Sequence, residues 1–526
     1  MKISTKQGLL GLVLAAFVLR ALFMVYGAPV YYGMPAPLCY SFGDATSYMW
    51  AAENLINKGH FTFDFLEPDA AFGRLPGYPL FYGFHYLIFG PVRAIYATAW
   101  SQVVLDSLAV LLVFAIVRRL APRSRFAPWV GAALYTSYPF IIFWVPMVYT
   151  ELMATDVTLL IFYFMLRYTG RGRAAFGLGL LVAVGLFTRE YLGLFLPIVL
   201  LWVVWQQGGL AQRQAWTAAV LVGLGFGALY ATWPIRNYLS YHRIELLKPK
   251  TAGYASHKED LDEYRSWVHA WTNDENPWID KIAEGNGPIA FPAGVFANAT
   301  EAARAQELIT LARQCGSSFF MQREAASSIH YGLKQEQEAA AAHKPITGSY
   351  GQALYRSIYT VYRDTAYMMH DSTYLHYRYH NCNAEVGQGF RALRQSYARQ
   401  HPVGYWLQVP GSNLFKAFFK SNTATSVGGA KELAIRVLFG YRSLLMLVGL
   451  LALWVHRREP AMWAVGLFVG GMIFFICLIM RNLEMRYLLQ ADVLLLLPAA
   501  VLLGELADRL LAHRPAPAQP LPAEAA

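Results

Sequence analysis

Four acids and five arginines set the chemical problem in this chain. Asp44, Glu53, Glu151 and Glu190, with Arg74, Arg189, Arg236, Arg481 and Arg486, fall between long apolar runs or at their ends. A carboxylate can take the proton of an attacking hydroxyl. Guanidinium groups can hold a phosphate as charge builds on it, because their planar fork donates two hydrogen bonds at once. Each group also has a plainer reading. The arginines could snorkel to lipid phosphates or pair with Glu190, Glu484 or Asp492. Glu151, in VPMVYTELMATDVTLL, stands where a helix start favours an acid. Asp44 precedes an amphipathic stretch, 45–58, with Met49, Ala52, Leu55 and Ile56 on one face and Gly59 at its end. There Asp44 reads first as an N-cap, and also as a carboxylate held at the membrane surface and kept ionised by the helix N-terminus; the two are compatible.

The elements that must hold these groups are membrane spans. Hydrophobic residues make up 56% of the 526, and charged residues 15%, against about 25% in soluble proteins. That balance excludes a soluble enzyme and a disordered chain. Ten apolar runs qualify as spans, at 8–30, 94–117, 126–146, 149–167, 174–189, 191–206, 215–235, 437–455, 461–480 and 487–504. The first resembles a signal peptide but is too long, and is read as a retained helix. The net charge is +11, from 44 bases and 33 acids. Much of the surplus sits in short segments: Arg118, Arg119, Arg123, Arg125, Arg171, Arg173, Arg457 and Arg458 face one acid, Glu459. The positive-inside rule places those segments and both termini in the cytoplasm, and a first loop at about 31–80 outside. Only RNLEMR, 481–486, breaks that pattern. Positive charge is scarce in short outer loops, so the outer arginines call for an anionic partner.

Three blocks then resemble a known class. Asp44, Tyr48, a helix ending in NLINKGHF and the RLPGYP of 74–79 resemble the first loop of GT-C glycosyltransferases, polytopic enzymes that use polyprenyl-phosphate sugars. The protein O-mannosyltransferases and the lipid A aminoarabinose transferase are of this class. WPIRNYLSYHRIELLKPKTAG, 233–253, resembles the segment that ends a span and opens the large outer loop in bacterial members. MRYLLQADVLLLLP, 485–498, resembles the start of a late span. The resemblance implies an all-α polytopic GT-C-like bundle and an inverting transfer at the outer face of a cell inner membrane. Asp44 would be the general base and Glu151 a supporting acid. Arg74, Arg189, Arg236 and Arg486 would hold the donor phosphate. Tyr48, Tyr78, Asn237 and Tyr487, all within the blocks, would shape the site.

Four regions follow: 1–236, a transmembrane module with the first outer loop at 31–80; 237–436, a mainly helical extracytoplasmic domain; 437–511, the last spans; and 512–526, a disordered tail rich in Ala and Pro. Within the insert, helical patterns appear around 299–340 and 350–368, and Pro and Gly punctuate 287–294 and 409–411. MMHDSTYLHYRYHNCN, 368–383, places His376 and His380 on one helical face, with His370, Asp371 and Cys382 nearby, but no flanking zinc pattern accompanies them. Cys39, Cys315 and Cys382 all fall outside, where one pair could be oxidised. Asp106 and Asp156 fall inside spans, where a carboxylate is costly, and have no assigned role.

The chain has no P-loop, dinucleotide fingerprint or HExxH. The expected partners are a polyprenyl-phosphate sugar, a glycan, lipid or protein acceptor, and membrane lipids, with no nucleic acid. No cofactor is required; a divalent metal is possible but not indicated. The competing readings are an oligosaccharide ligase or polymerase using a diphosphate-linked donor, a lipid or solute transporter, and a non-catalytic assembly or sensor protein. No internal repeat supports the transporter.

Overall fold

A computed structural model describes residues 4–64, 68–249, 259–283, 287–314, 382–419, 430–481 and 483–512, and every regular element among them is helical. The helices are α1 (Thr5–Leu22), α2 (Ala45–Lys58), α3 (Gly77–Phe89), α4 (Pro91–Leu120), α5 (Ala127–Ser137), α6 (Thr150–Leu166), α7 (Gly172–Thr188), α8 (Phe195–Gln206), α9 (Arg213–Tyr230) and α10 (Thr232–Tyr241). The insert contributes α11 (Glu259–Trp271), α12 (Asn276–Ala283), α13 (Ala299–Gln314), α14 (Asn383–Gln400) and α15 (Val409–Phe419). The last helices are α16 (Ala430–Val455), α17 (Pro460–Phe474) and α18 (Leu489–Ala512).

Among the described residues, six helical stretches are long and apolar enough to cross a membrane: Thr5–Tyr32, Pro91–Leu120, Arg213–Tyr241, Glu432–Val455, Pro460–Met480 and Met485–Ala512. Gly172–Thr188 and Glu190–Gln206 are shorter apolar helices. The chain is a multi-pass membrane protein. Its axis is the stretch 485–512, 83% of whose apolar window is buried inside the protein. This stretch packs on α4, α5, α6, α16 and α17. The outer sides of α1 and α16 carry exposed Leu, Val and Trp, the surface that lipid would cover.

Two elements differ from the sequence reading. The expected span 126–146 is broken: α5 stops at Ser137 before Pro139, and only a short turn, 139–142, follows. A proline cannot continue the backbone ladder, so carbonyls are freed inside the bundle. Arg20 satisfies two of them, donating to the Thr136 and Tyr135 oxygens at 3.1 and 3.4 Å, while its Nε bonds Asp106. The Tyr135 hydroxyl donates to the other Asp106 oxygen. Asp106 is therefore a structural counter-ion. Asp492 plays the same part for Arg442, which donates to both its oxygens at 2.6 and 2.7 Å and also to the Ala417 carbonyl. The expected pairing of Asp492 with an outer arginine is thus replaced by one within the bundle.

The second difference is at 409–411, which the sequence marks as a break but which starts α15. Pro410 is tolerated because a wider, π-type turn, 404–408, precedes it and relaxes the ladder where the ring would clash. The insert has its own aromatic core, with Trp267 fully buried against Tyr264, Phe291, Phe296 and Phe390. Most of the 299–340 pattern, all of 350–368, and His370, Asp371, His376 and His380 lie outside the described residues. Cys382 is disulfide-bonded, whereas Cys39 and Cys477 are free and buried.

Candidate functional site

The turn FGD at 42–44 is shaped around one hydroxyl. Tyr149 donates to the Phe42 carbonyl at 2.6 Å and accepts from the Asp44 amide at 3.0 Å. Gly43 between them has φ +62°, and a Cβ there would lie 2.5 Å from the Tyr149 oxygen. Only glycine fits a left-handed turn closed this tightly. Asp44 then opens α2, but its side chain makes no capping bond and its backbone is already helical. The N-cap expectation is corrected: the carboxylate is turned instead to two arginines.

Arg74 Nη2 lies 3.2 Å from Asp44 Oδ1, and Arg486 Nη1 lies 2.7 Å from Asp44 Oδ2. Each guanidinium has further anchors. Arg74 donates to Ser47 Oγ at 2.7 Å and lies over the Tyr48 ring, 4.4 Å from its centre. Arg486 bonds Glu484, reaches the Tyr487 hydroxyl at 3.4 Å, and approaches Glu151 at 4.0 Å. Glu151, buried, pairs with Arg189 at 3.0 Å. Arg189 lies over the Tyr191 and Tyr487 rings. Glu190, the next residue, pairs with Lys248 rather than with an arginine.

Burial alone would push the Asp44 carboxyl up. The opposing charges of Arg74 and Arg486, with Lys248 beyond them, outweigh that and hold it well below the usual carboxylate range. Its side chain stays 35% exposed, so it is ionised and reachable.

The neighbours are held by close packing. Gly77, in the RLPGYP block, starts α3 against the end of α7, where a Cβ would lie 2.6 Å from the Phe187 carbonyl oxygen. That approach draws Arg74, three residues before it, toward Arg189, two after Phe187. Gln490 locks the other side, donating to the Glu151 carbonyl at 2.9 Å and accepting from Tyr191 at 2.6 Å.

The structure therefore brings Asp44, Arg74, Glu151, Arg189, Arg486, Tyr48 and Tyr487 into one network. It uses three other expected residues differently. Arg236 donates to the Ala71 and Phe61 carbonyls and to Asn237, with its guanidinium among the rings of Phe61, Trp233 and Tyr241. It staples the first loop to α10. Asn237 is buried and ties that helix to the Glu245 carbonyl. Tyr78 is fully buried, donates to Gln102 and packs edge-on to Tyr48. Of the other arginines and acids considered, Arg481 lies over Tyr405 of the insert, and Glu53 is buried and accepts from Tyr82.

Ser47, Tyr149, Lys248 and Gln490 were not singled out from sequence. Ser47 had a signal, since it lies three residues after Asp44 on the same helix face. Lys248 had one too, inside the 233–253 block. Tyr149 and Gln490 had none, because their roles depend on contacts with distant segments. Among the described residues, no group of three His, Cys, Asp or Glu is arranged to hold a metal ion.

Residues 74–233 match the family model described as dolichyl-phosphate-mannose-protein mannosyltransferase. The chain resembles the GT-C glycosyltransferases. The match runs from Arg74 to Trp233 and so takes in Glu151 and Arg189. No curated protein sequence matches the chain. Two solved structures from Archaeoglobus fulgidus are similar in outline. One is the archaeal oligosaccharyltransferase AglB in complex with an inhibitory peptide and a dolichol-phosphate, 13% identical with a TM-score of 0.49 over 98% of this chain and 53% of that one. The other is an oligosaccharyltransferase tethered to an acceptor peptide through a disulfide bond, 11% identical with a TM-score of 0.43 over 97% of this chain and 51% of that one. The chain spans about half the length of each.

Proposed function

We propose that this protein is an inverting membrane glycosyltransferase that moves a sugar from a polyprenyl-phosphate carrier to an acceptor hydroxyl at the membrane surface. One observation carries the reading: the two oxygens of Asp44 are each met by a guanidinium from a different, distant segment, Arg74 and Arg486. The family description over 74–233 supports the same chemistry.

Asp44 accepts the acceptor's proton as the acceptor oxygen attacks the anomeric carbon. The bond from that carbon to the phosphate oxygen breaks, and the carrier leaves as a phosphate monoester. Arg74 and Arg486 hold the phosphate, and Arg189 adds positive charge behind them, oriented by Glu151. No cofactor enters these steps. Tyr48 and Tyr487 keep the two guanidinium planes in place.

The insert selects the acceptor. An open depression of about 530 Å³ on it, lined by Phe291, Phe296, Asn298 and Gln306 among others, presents apolar and polar groups side by side. The cluster faces the periplasm of a cell inner membrane, with both termini cytoplasmic. The disulfide at Cys382 supports an oxidising compartment for the insert.

The test is transfer by the purified full chain in detergent, with a radiolabelled polyprenyl-phosphate sugar and an envelope extract as acceptor. Labelled product that depends on the protein and is absent with Asp44→Asn is expected. Equal labelling by the variant would overturn the reading. Mass spectrometry of envelope glycolipids and glycoproteins, with and without the gene, then names the sugar and acceptor.

A further inference from the structure

Arg74, Arg189 and Arg486 are linked in one network with Asp44, Glu151 and Glu484, and Lys248 pairs with Glu190 beside it. Among the described residues, three guanidinium groups stand against three carboxylates in this network, and Lys248 is matched by Glu190, so these residues show no surplus positive charge to offer an anion. A phosphate that binds here must share guanidinium groups that already serve carboxylates. The geometry shows which ones can be shared. Asp44 is placed by its backbone, through Tyr149 and the Gly43 turn. Arg74 is placed by Ser47 and Tyr48, and Arg486 by Glu484 and Tyr487. Base and arginines therefore keep their positions without the charge between them.

Resting on the glycosyl-transfer reading above, we propose that Arg74 and Arg486 are shared between Asp44 and the donor phosphate, and that proton transfer to Asp44 hands them to the leaving group. The charges balance. A sugar phosphodiester carries one negative charge, and the monoester it becomes carries two. The acceptor proton neutralises Asp44 in the same step. The network's total is unchanged, but one negative charge has moved from the carboxylate to the phosphate. The two guanidinium groups then strengthen their bonds to the phosphate at the stage when its charge rises, which is when stabilisation accelerates the reaction. One consequence runs against ordinary expectation. Removing the charge of the base should tighten the hold on the spent carrier.

The experiment titrates a polyprenyl monophosphate into the purified full chain in detergent, with the phosphate-free polyprenol as control. Asp44→Asn, which imitates the protonated base, is expected to bind the monophosphate about tenfold more tightly than the wild type, the scale of one charge-assisted hydrogen bond gained. Asp44→Asn combined with Arg486→Ala is expected to lose that gain. Wild-type protein that binds the monophosphate no better than the polyprenol overturns the glycosyl-transfer reading itself. Wild-type protein that discriminates between them, with Asp44→Asn binding equally or more weakly, overturns the hand-off alone. Should Asp44→Asn fail to fold, Asp44→Ser takes its place, since it removes the same charge while Tyr149 and the Gly43 turn still hold the backbone there. It too is expected to tighten binding, and no tightening overturns the hand-off.

Discussion

Arg486 and Asp44 meet at 2.7 Å across 442 positions of sequence. The late stretch that is most buried in the bundle thereby delivers its first charged residue to the first loop. The pair predicts two separable defects. Asp44→Asn should lower kcat by a factor on the order of 10²–10⁴, the usual contribution of a general base. Arg486→Lys keeps the charge but loses the fork, and should raise the donor KM by roughly tenfold, the effect of about one lost charge-assisted bond, and lower kcat as well, because the fork grips the phosphate most tightly as its charge rises. Steady-state kinetics with varied donor would separate them, and a matched fall in both parameters for both variants would contradict the division of roles.

Glu151 and Arg189 form a buried pair at 3.0 Å, with side chains 2% and 10% exposed. Removing one partner strands a charge away from water. Arg189→Met and Glu151→Ala should each destabilise the protein by about 3–5 kcal/mol, whereas the double variant should recover part of that loss. Thermal unfolding in detergent measures it. Additive losses would show that the two groups do not interact.

Gly77 sets the start of α3 directly against the end of α7, where a Cβ would lie 2.6 Å from the Phe187 carbonyl oxygen. Gly77→Ala must push Phe187 and Thr188 backbone atoms aside, and overpacking of this kind costs about 1–3 kcal/mol. The same shift separates Arg74 from Arg189, so activity should fall more than stability. A variant with a lower unfolding midpoint but wild-type kcat/KM would remove Gly77 from the site's support.

Glu275 of the insert accepts from His269 and pairs with Arg265. Burial raises its carboxyl, but those two partners outweigh it and hold it down to about 2. The unfolded chain, with Glu275 near its ordinary 4.5, takes up the proton more readily. Stability from this group is complete above about pH 4.5 and is lost as pH falls toward 2, by an amount on the order of 2–3 kcal/mol. Glu275→Gln should flatten the unfolding midpoint over that window. An unchanged slope would dismiss the linkage.

Much of the architecture is legible in the sequence alone. The apolar runs, the Asp44 helix with Gly59 at its end, and the RLPGYP and MRYLL blocks are local patterns. Periodicity and span length are properties of neighbouring residues, so they can be read along the chain. The break at Pro139 and the helix through Pro410 were less legible, because a freed carbonyl or a relaxed turn is rescued by a partner that the local pattern does not name. Arg20 supplies that partner in one case and the π-type turn preceding Pro410 supplies the relief in the other.

By itself the sequence determined the chemistry available: carboxylates and arginines between spans in a chain with too few charges for a soluble fold. Only the tertiary structure decided which of them work together. It joined Asp44 to Arg74 and Arg486, and assigned Arg236 to the Phe61 and Ala71 carbonyls. The physical reason is that a guanidinium has several donors and no preference in sequence. Whether it meets a carboxylate or a carbonyl depends on which acceptor the packing of distant helices brings within about 3 Å of it.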